Sequence, residues 1–182
     1  LFGQFDGQAN AAGAFQNIPV TAGDLYDASA HALTRSDDSI AGSGNTALLK
    51  VEFYSEAGAA YDSPAFIGEA STVLADTTSP TDVWTRSGLS GIVPPNAVEA
   101  RVTIAFQQTA FNLGGSVFVD SVTFDTTACP ADTNNDGSLT PADFNAWVLA
   151  FNTQAPECDQ NDDGNCNPGD FNAWILNFNA GC

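Results

Sequence analysis

The sequence predicts a mainly β chain: a two-sheet β-sandwich followed by a small α module of two acidic loop–helix units. Three observations carry this. Residues 1 to about 128 alternate apolar and polar positions, with almost no helical periodicity. Turn residues break that alternation into about eight short runs, the pattern of a sandwich. Residues 129–182 then write one unit twice, each copy an acidic Gly-containing loop and an aromatic-rich run.

The strands follow in order. Gly13–Val20 comes after a Gly/Ala turn at 10–13. Leu25–Thr34 puts Tyr26, Ala28, Ala30 and Ala32 on one face, and Leu25, Asp27, Ser29, His31 and Leu33 on the other. Residues 36–45 are Ser, Asp and Gly, hence a loop. Ala47–Tyr54 is the clearest strand, with Leu49, Val51 and Phe53 inward and Lys50, Glu52 and Tyr54 outward. Ala65–Leu74 is a strand, Thr77–Thr81 a turn around Pro80, and Asp82–Arg86 a short strand around Trp84. Val93-Pro-Pro-Asn96 breaks the chain before Ala97–Gln107, where Val98, Ala100, Val102, Ile104 and Phe106 share a face. Gly115–Phe124 is the last strand, and Thr126-Thr-Ala128 is a linker short enough that the two units should touch.

Composition narrows the function. The 182 residues carry 22 acids and 4 bases, net −18, and none of the bases lies after Ala128. Nucleic acid and anionic membrane surfaces are excluded as partners, because both need clustered Lys and Arg. No apolar run is long enough to span a bilayer. At 43% hydrophobic and 10% aromatic, the chain can bury real cores. All four cysteines fall in the last 54 residues, which reads as two disulfides and an oxidising compartment. A zinc site would need a closer Cys/His spacing; no CxxC occurs, and the one histidine, His31, is remote. No Gly-x-Ser-x-Gly elbow or phosphate loop is present, since Gly88-Leu-Ser90-Gly91 has the wrong spacing. A catalytic sandwich is therefore the weakest functional reading.

The repeated loops carry the chemistry. Calcium takes several hard oxygen ligands, and a twelve-residue EF-type loop supplies them from alternating positions. The first loop offers Asp132, Asn134, Asp136, the carbonyl of Ser138, Thr140 through water, and Asp143. The second offers Asp159, Asn161, Asp163, the carbonyl of Asn165, Asn167 through water, and Asp170. Gly137 and Gly164 fill position six, where the turn needs glycine. One such loop could be an ordinary turn, but two complete copies in phase argue for two calcium sites. Position twelve is Asp rather than Glu, so the helix after each loop must sit closer to the ion. Phe144, Trp147, Val148 and Phe151 fall on one helical stripe, as do Phe171, Trp174, Ile175 and Phe178, and both stripes are expected in the module's core.

This loop–helix duplication resembles the dockerin module, specifically dockerins that close bacterial secreted proteins with Gly-Cys, as Gly181-Cys182 does here. The resemblance implies a domain at 129–182, two structural calcium ions, and a cohesin-like partner for the helices. Of the three possible cysteine pairings, the expected ones are Cys158–Cys166, which closes a short loop around the second calcium site, and Cys129–Cys182, which clasps the module's ends where the resemblance implies that they lie close together. Two features depart from the family pattern: Pro141-Ala142 and Pro168-Gly169 at loop positions ten and eleven, and the cysteines themselves.

The sandwich domain, residues 1–126, shows a looser likeness over most of residues 13–125. Val20-Thr-Ala-Gly-Asp-Leu-Tyr26, Lys50-Val-Glu-Phe-Tyr54, Val93-Pro-Pro-Asn-Ala-Val-Glu-Ala-Arg101 and Val117-Phe-Val-Asp120 are similar to jelly-roll domains of the carbohydrate-binding-module, galactose-binding-like type. The fold class expected is thus a jelly-roll β-sandwich followed by a two-repeat EF-hand-like dockerin. The resemblance implies a structural calcium at Asp120, and opening strands that precede the first residue here, where Leu-Phe-Gly-Gln-Phe reads as strand interior. An exposed sheet face bearing Asp27, His31, Lys50, Glu52, Tyr54, Arg101 and Gln107, with Trp84 nearby, is the candidate glycan face; a plain solvated face is the competing reading.

Two functions follow. The chain is a secreted or cell-surface, non-catalytic binding protein attached through its calcium module. Alternatively, it is a protomer of an extracellular filament or matrix, in which a neighbour's strand completes the sandwich.

Overall fold

The computed structural model describes residues 2–3, 10–108, 114–127, 129–161 and 163–181. The chain is mainly β, with two four-stranded sheets and two helices. One sheet runs β1 (Phe2–Gly3), β8 (Ser116–Thr127), β3 (Leu25–Leu33), β6 (Thr85–Ile92); the other runs β2 (Asn10–Pro19), β7 (Glu99–Gln108), β4 (Thr46–Tyr54), β5 (Phe66–Ala75). Every pairing between named strands is antiparallel.

The core lies between the sheets. Tyr26, Ala28, Ala30 and Ala32 of β3 face Leu49, Val51 and Phe53 of β4 and Ala100, Val102, Ile104 and Phe106 of β7. Period-two alternation delivers these residues, because one face of each strand must be apolar to close the sandwich. Two inward–outward assignments fail. Val98 precedes β7 and is exposed, and the short strand expected at Asp82–Arg86 begins only at Thr85, leaving Trp84 just before the strand and half exposed. The outward side chains Glu52, Tyr54 and Arg101 are buried rather than solvated: Phe15 and Tyr61 border Glu52 and Arg101 on the outer face, and Tyr54 packs against Arg101 and Phe66.

β8 is long, yet β1 pairs only with its first two residues, Phe2 opposite Val117 and Gly3 opposite Ser116. From Phe118 onward, nothing among the described residues pairs with that edge. Beside it, a cavity of about 410 Å³ opens between the sheets, lined by Ile18, Val102, Ile104, Val122 and Phe124. Ser121, at a positive φ of 51°, sits where the β3–β8 register shifts, so Val122 and Phe124 turn toward this gap.

The C-terminal unit is loop, α1 (Pro141–Thr153), a 3₁₀ turn (Pro156–Cys158), loop, α2 (Pro168–Ala180). Each helix starts with proline in its first turn, where the missing N–H costs nothing. The aromatic stripes pack as expected at Trp147 and Trp174, which are buried against Leu139, Phe151, Ile175 and Phe178. Phe144 and Phe171 meet at a tilt (5.8 Å between ring centres, 47° between planes), and both keep more than a third of their surface.

Candidate functional site

The two loops are built alike. In the first, the Asp132 carboxylate accepts from the backbone N–H groups of Asp136 (3.1 Å) and Gly137 (2.9 Å), and Asp143 accepts from those of Asn134 and Thr140. In the second, Asp159 holds the N–H groups of Asp163 (3.1 Å) and Gly164 (2.8 Å), and Asp170 those of Gln160, Asn161 and Asn167. Gly137 (φ 78°) and Gly164 (φ 81°) take the left-handed conformation the loop turn demands. Thr140 and Asn167, expected to reach the ion through water, are helix N-caps: each side chain accepts from the backbone two residues on, and Asp143 or Asp170 completes a capping box. The position-twelve carboxylates are therefore locked to the helix start.

Asp132, Asp143 and Asp170 are buried, and no Lys or Arg follows Ala128. Burial pushes the Asp132 carboxyl above its ordinary value, and the nearby Asp143 carboxylate adds to that. Buried acids without a cation of the protein's own fit a bound divalent ion. Among the described residues, no three His, Cys, Asp or Glu side chains gather as a metal cage. The loops mix carboxylates with Asn side chains, and Asp136 accepts from the Asn134 amide (2.9 Å) as Asp163 does from Asn161 (3.2 Å). Cys158 and Cys166 are bonded across the second loop, with Cα atoms 5.6 Å apart. Cys129 is disulfide-bonded, and its expected partner Cys182 lies outside the described residues.

A second candidate site lies on the outer face of the β2–β7–β4–β5 sheet. A groove of about 330 Å³ is walled by the exposed rings of Phe15 and Tyr61, with Lys50, Glu52, Arg101 and Thr103 at its floor. Arg101 is clamped: it donates to Asn17 (2.9 Å), the Tyr54 hydroxyl (3.0 Å) and the Ala59 carbonyl, and its guanidinium lies over the Phe15 and Tyr54 rings. Lys50 bridges Glu52 (3.1 Å) and Glu69 (2.5 Å). Lys50 and Arg101 at the floor are matched by Glu52 there and by Glu69, which pairs with Lys50 from beyond the groove's lining, so the cluster as a whole carries no net charge in a strongly acidic chain.

No family model and no curated protein matches this chain. Its fold is similar to a solved bacteriophage CBA120 tailspike protein 4 enzymatically active domain, at 16% identity and TM-score 0.45, covering 64% of this chain and 14% of that one. It is also similar to a solved Family 16 Carbohydrate Binding Module-2, at 15% identity and TM-score 0.43, covering 65% of this chain and 72% of that one. The chain thus matches only a small part of the tailspike domain's length.

The candidate glycan face divides. Lys50, Glu52, Tyr54, Arg101 and Gln107 do come together around the groove. Asp27 and His31 do not, because β3 belongs to the other sheet. There Asp27 faces Arg86 at 3.9 Å and Asp125 in the ladder, and His31 lies opposite Asp120 with its Nδ1 buried and unpartnered. Asp120 is exposed and accepts from the Ser121 N–H, and among the described residues no group of three His, Cys, Asp or Glu side chains includes it. Sequence reasoning missed Phe15 and Tyr61. Phe15 was placed in a strand without a face, and Tyr61 sits in the loop between β4 and β5, where alternation gives no direction.

Proposed function

We propose that this is a non-catalytic, extracellular attachment protein: the sandwich holds a saccharide chain, and a dockerin-like C-terminal module, kept in shape by two calcium ions, docks a partner protein. The observation that carries it is the duplicated module, in which one buried-carboxylate loop is tied to one capped helix twice over. Asp132, Asn134, Asp136, Asp143 and the Ser138 carbonyl would hold one ion; Asp159, Asn161, Asp163, Asp170 and the Asn165 carbonyl the other. Bound calcium supplies the positive charge that these acids lack. The helices then present Leu149 and Leu176, 66% and 70% exposed at equivalent positions of the two repeats, to a cohesin-like protein. The Cys158–Cys166 disulfide and the bonded Cys129 suit an oxidising compartment, and no described helix is long and apolar enough to cross a membrane.

In the groove, Phe15 and Tyr61 offer flat apolar faces to sugar rings, while Thr103, Gln107 and the Lys50–Glu52 pair offer hydroxyl partners. The charge-balanced cluster of Lys50, Arg101, Glu52 and Glu69 favours neutral sugars over uronates. Calorimetric titration with calcium, followed by neutral and acidic glycan arrays, tests both halves. Two calcium ions per chain and binding confined to neutral glycans are expected; no calcium uptake overturns the docking half, and no glycan binding overturns the sandwich half.

The edge of β8, which beyond Val117 has no partner among the described residues, favours a second reading, a protomer whose sandwich is completed by a neighbour's strand. Negative-stain microscopy separates the two: polymers support strand exchange, and single particles support the attachment protein.

A further inference from the structure

The two loops share their pattern of Asp, Asn and Gly and the main hydrogen bonds that hold it, but not their surroundings. Asp132 is 2% exposed, whereas its counterpart Asp159 is only partly buried. The difference comes from the sandwich. Gly23 lies in the turn between β2 and β3, pinned by its N–H to the Val93 carbonyl (3.0 Å) and by the Val93 N–H to Asp24 (2.8 Å). A methyl group at Gly23 would run into the Asp132 carboxylate and stand 3.4 Å from the Asn135 Cα. From the other side, a methyl at Gly137 would stand 3.0 Å from the Val93 carbonyl and 3.1 Å from Pro95. Gly164, the matching glycine of the second loop, has nothing within 4 Å.

We propose that the Gly23 turn and the Val93–Pro95 segment are the back wall of the first cation loop, so that calcium binding there and docking of the module on the sandwich are one linked equilibrium. The second loop binds its ion independently. This rests on the calcium reading above. Gly23 touches the carboxylate that opens the loop, and only glycine lets backbone approach that closely. The wall shields Asp132 from water, which strengthens its attraction to a cation and fixes the conformation the ion requires. Linkage is reciprocal: whatever the wall adds to calcium affinity, calcium returns to the wall. Gly23 is a positioning residue, acting on the ion through Asp132.

The test uses the whole chain with calcium as the probe. Calorimetric titration compares wild type, Gly23→Ala and Gly42→Ala. Both glycines have positive φ (89° and 76°), but Gly42 has nothing within 4 Å, so it controls for backbone strain alone. Gly23→Ala should weaken one of two sites about tenfold or more, and Gly42→Ala neither. Equal weakening of both sites by Gly23→Ala, or no weakening, overturns the proposal while leaving the calcium reading intact; a wild type that binds no calcium overturns that reading instead. Should Gly23→Ala not fold, amide hydrogen exchange decides. Calcium should increase protection of the Gly23 and Val93 amides in wild type and in Asp159→Asn but not in Asp132→Asn. Protection that is the same in both variants overturns the linkage.

Discussion

The indole N–H of Trp174 donates to the carbonyl of Ala131 at 3.2 Å, directly before the first loop. Trp147 does the same for Cys158, directly before the second loop, also at 3.2 Å. Each helix therefore holds the loop of the other repeat. The repeats are exchanged partners rather than beads, and neither loop is positioned by its own helix alone. Replacing either tryptophan by phenylalanine keeps most of the apolar volume but orphans a buried carbonyl. Trp174→Phe and Trp147→Phe should each destabilise the module by about 1–3 kcal/mol in denaturant titrations at saturating calcium. The effects should be less than additive, since losing one clamp loosens the other loop's seat.

Calcium removal should act on the C-terminal unit. Without the ion, the buried carboxylates Asp132 and Asp143 repel each other. Chelation should open residues 129–181 to proteolysis while far-ultraviolet circular dichroism keeps its β signature. Unchanged cleavage with and without chelator would sink the calcium assignment. Reducing the Cys158–Cys166 bond, which spans 8 residues, should lower module stability by about 2–3 kcal/mol through the unfolded chain's regained freedom.

The groove separates binding from stability. Phe15 and Tyr61 are 64% and 67% exposed, so Tyr61→Ala should change stability by no more than about 0.5 kcal/mol and weaken glycan binding about tenfold. Phe15→Ala should do the same to binding and cost about 1 kcal/mol more in stability, because its ring lies under Arg101. Arg101→Met should destabilise the sandwich by about 2–3 kcal/mol, since Asn17, Tyr54 and Ala59 lose a charged donor. Frontal affinity measurements beside thermal melts distinguish these outcomes.

Alternation was enough to read the sandwich because its strands are one-sided: the inward residues of β3, β4 and β7 are the ones the period selects. The same period misplaced Glu52, Tyr54 and Arg101 as solvated. A strand's outer face is wet only when no loop covers it, and the loop bearing Tyr61 has no period to read. Nor can a period say which strands share a sheet, which is why Asp27 and His31 were grouped with Lys50. The loops and both helices were legible because their acid–glycine spacing and aromatic stripes are local signals, whereas the caps were not, since Thr140 and Asn167 read equally well as ligands acting through water. The wedge of Gly23 against Asp132 was not, since it joins residues far apart in the chain.

The Lys50 pair predicts an alkaline limit. Burial works against the Lys50 charge, but the Glu69 and Glu52 carboxylates outweigh it, so the ammonium keeps its proton above the ordinary lysine value of 10.5. A base whose pKa is raised in the folded state adds stability that is complete below 10.5 and is lost as pH climbs through the folded value. Tyr54 acts in the same direction. Burial, and then Glu52, raise its hydroxyl above 10.0, so ionising it is harder in the fold than in the open chain. Thermal melts should therefore be flat, as far as these groups decide, from neutrality to about pH 9.5. They should fall steeply above 10.5. Lys50→Met alone would leave Glu52 buried with only the Tyr54 and Thr103 hydroxyls, so the double variant Lys50→Met, Glu52→Gln is the cleaner probe. It should shrink the alkaline loss, and adding Tyr54→Phe should shrink it further. Tyr26, raised by its own burial in the core, sets the loss that remains in the triple variant. An alkaline fall of undiminished size in that variant would place the sensitive groups elsewhere.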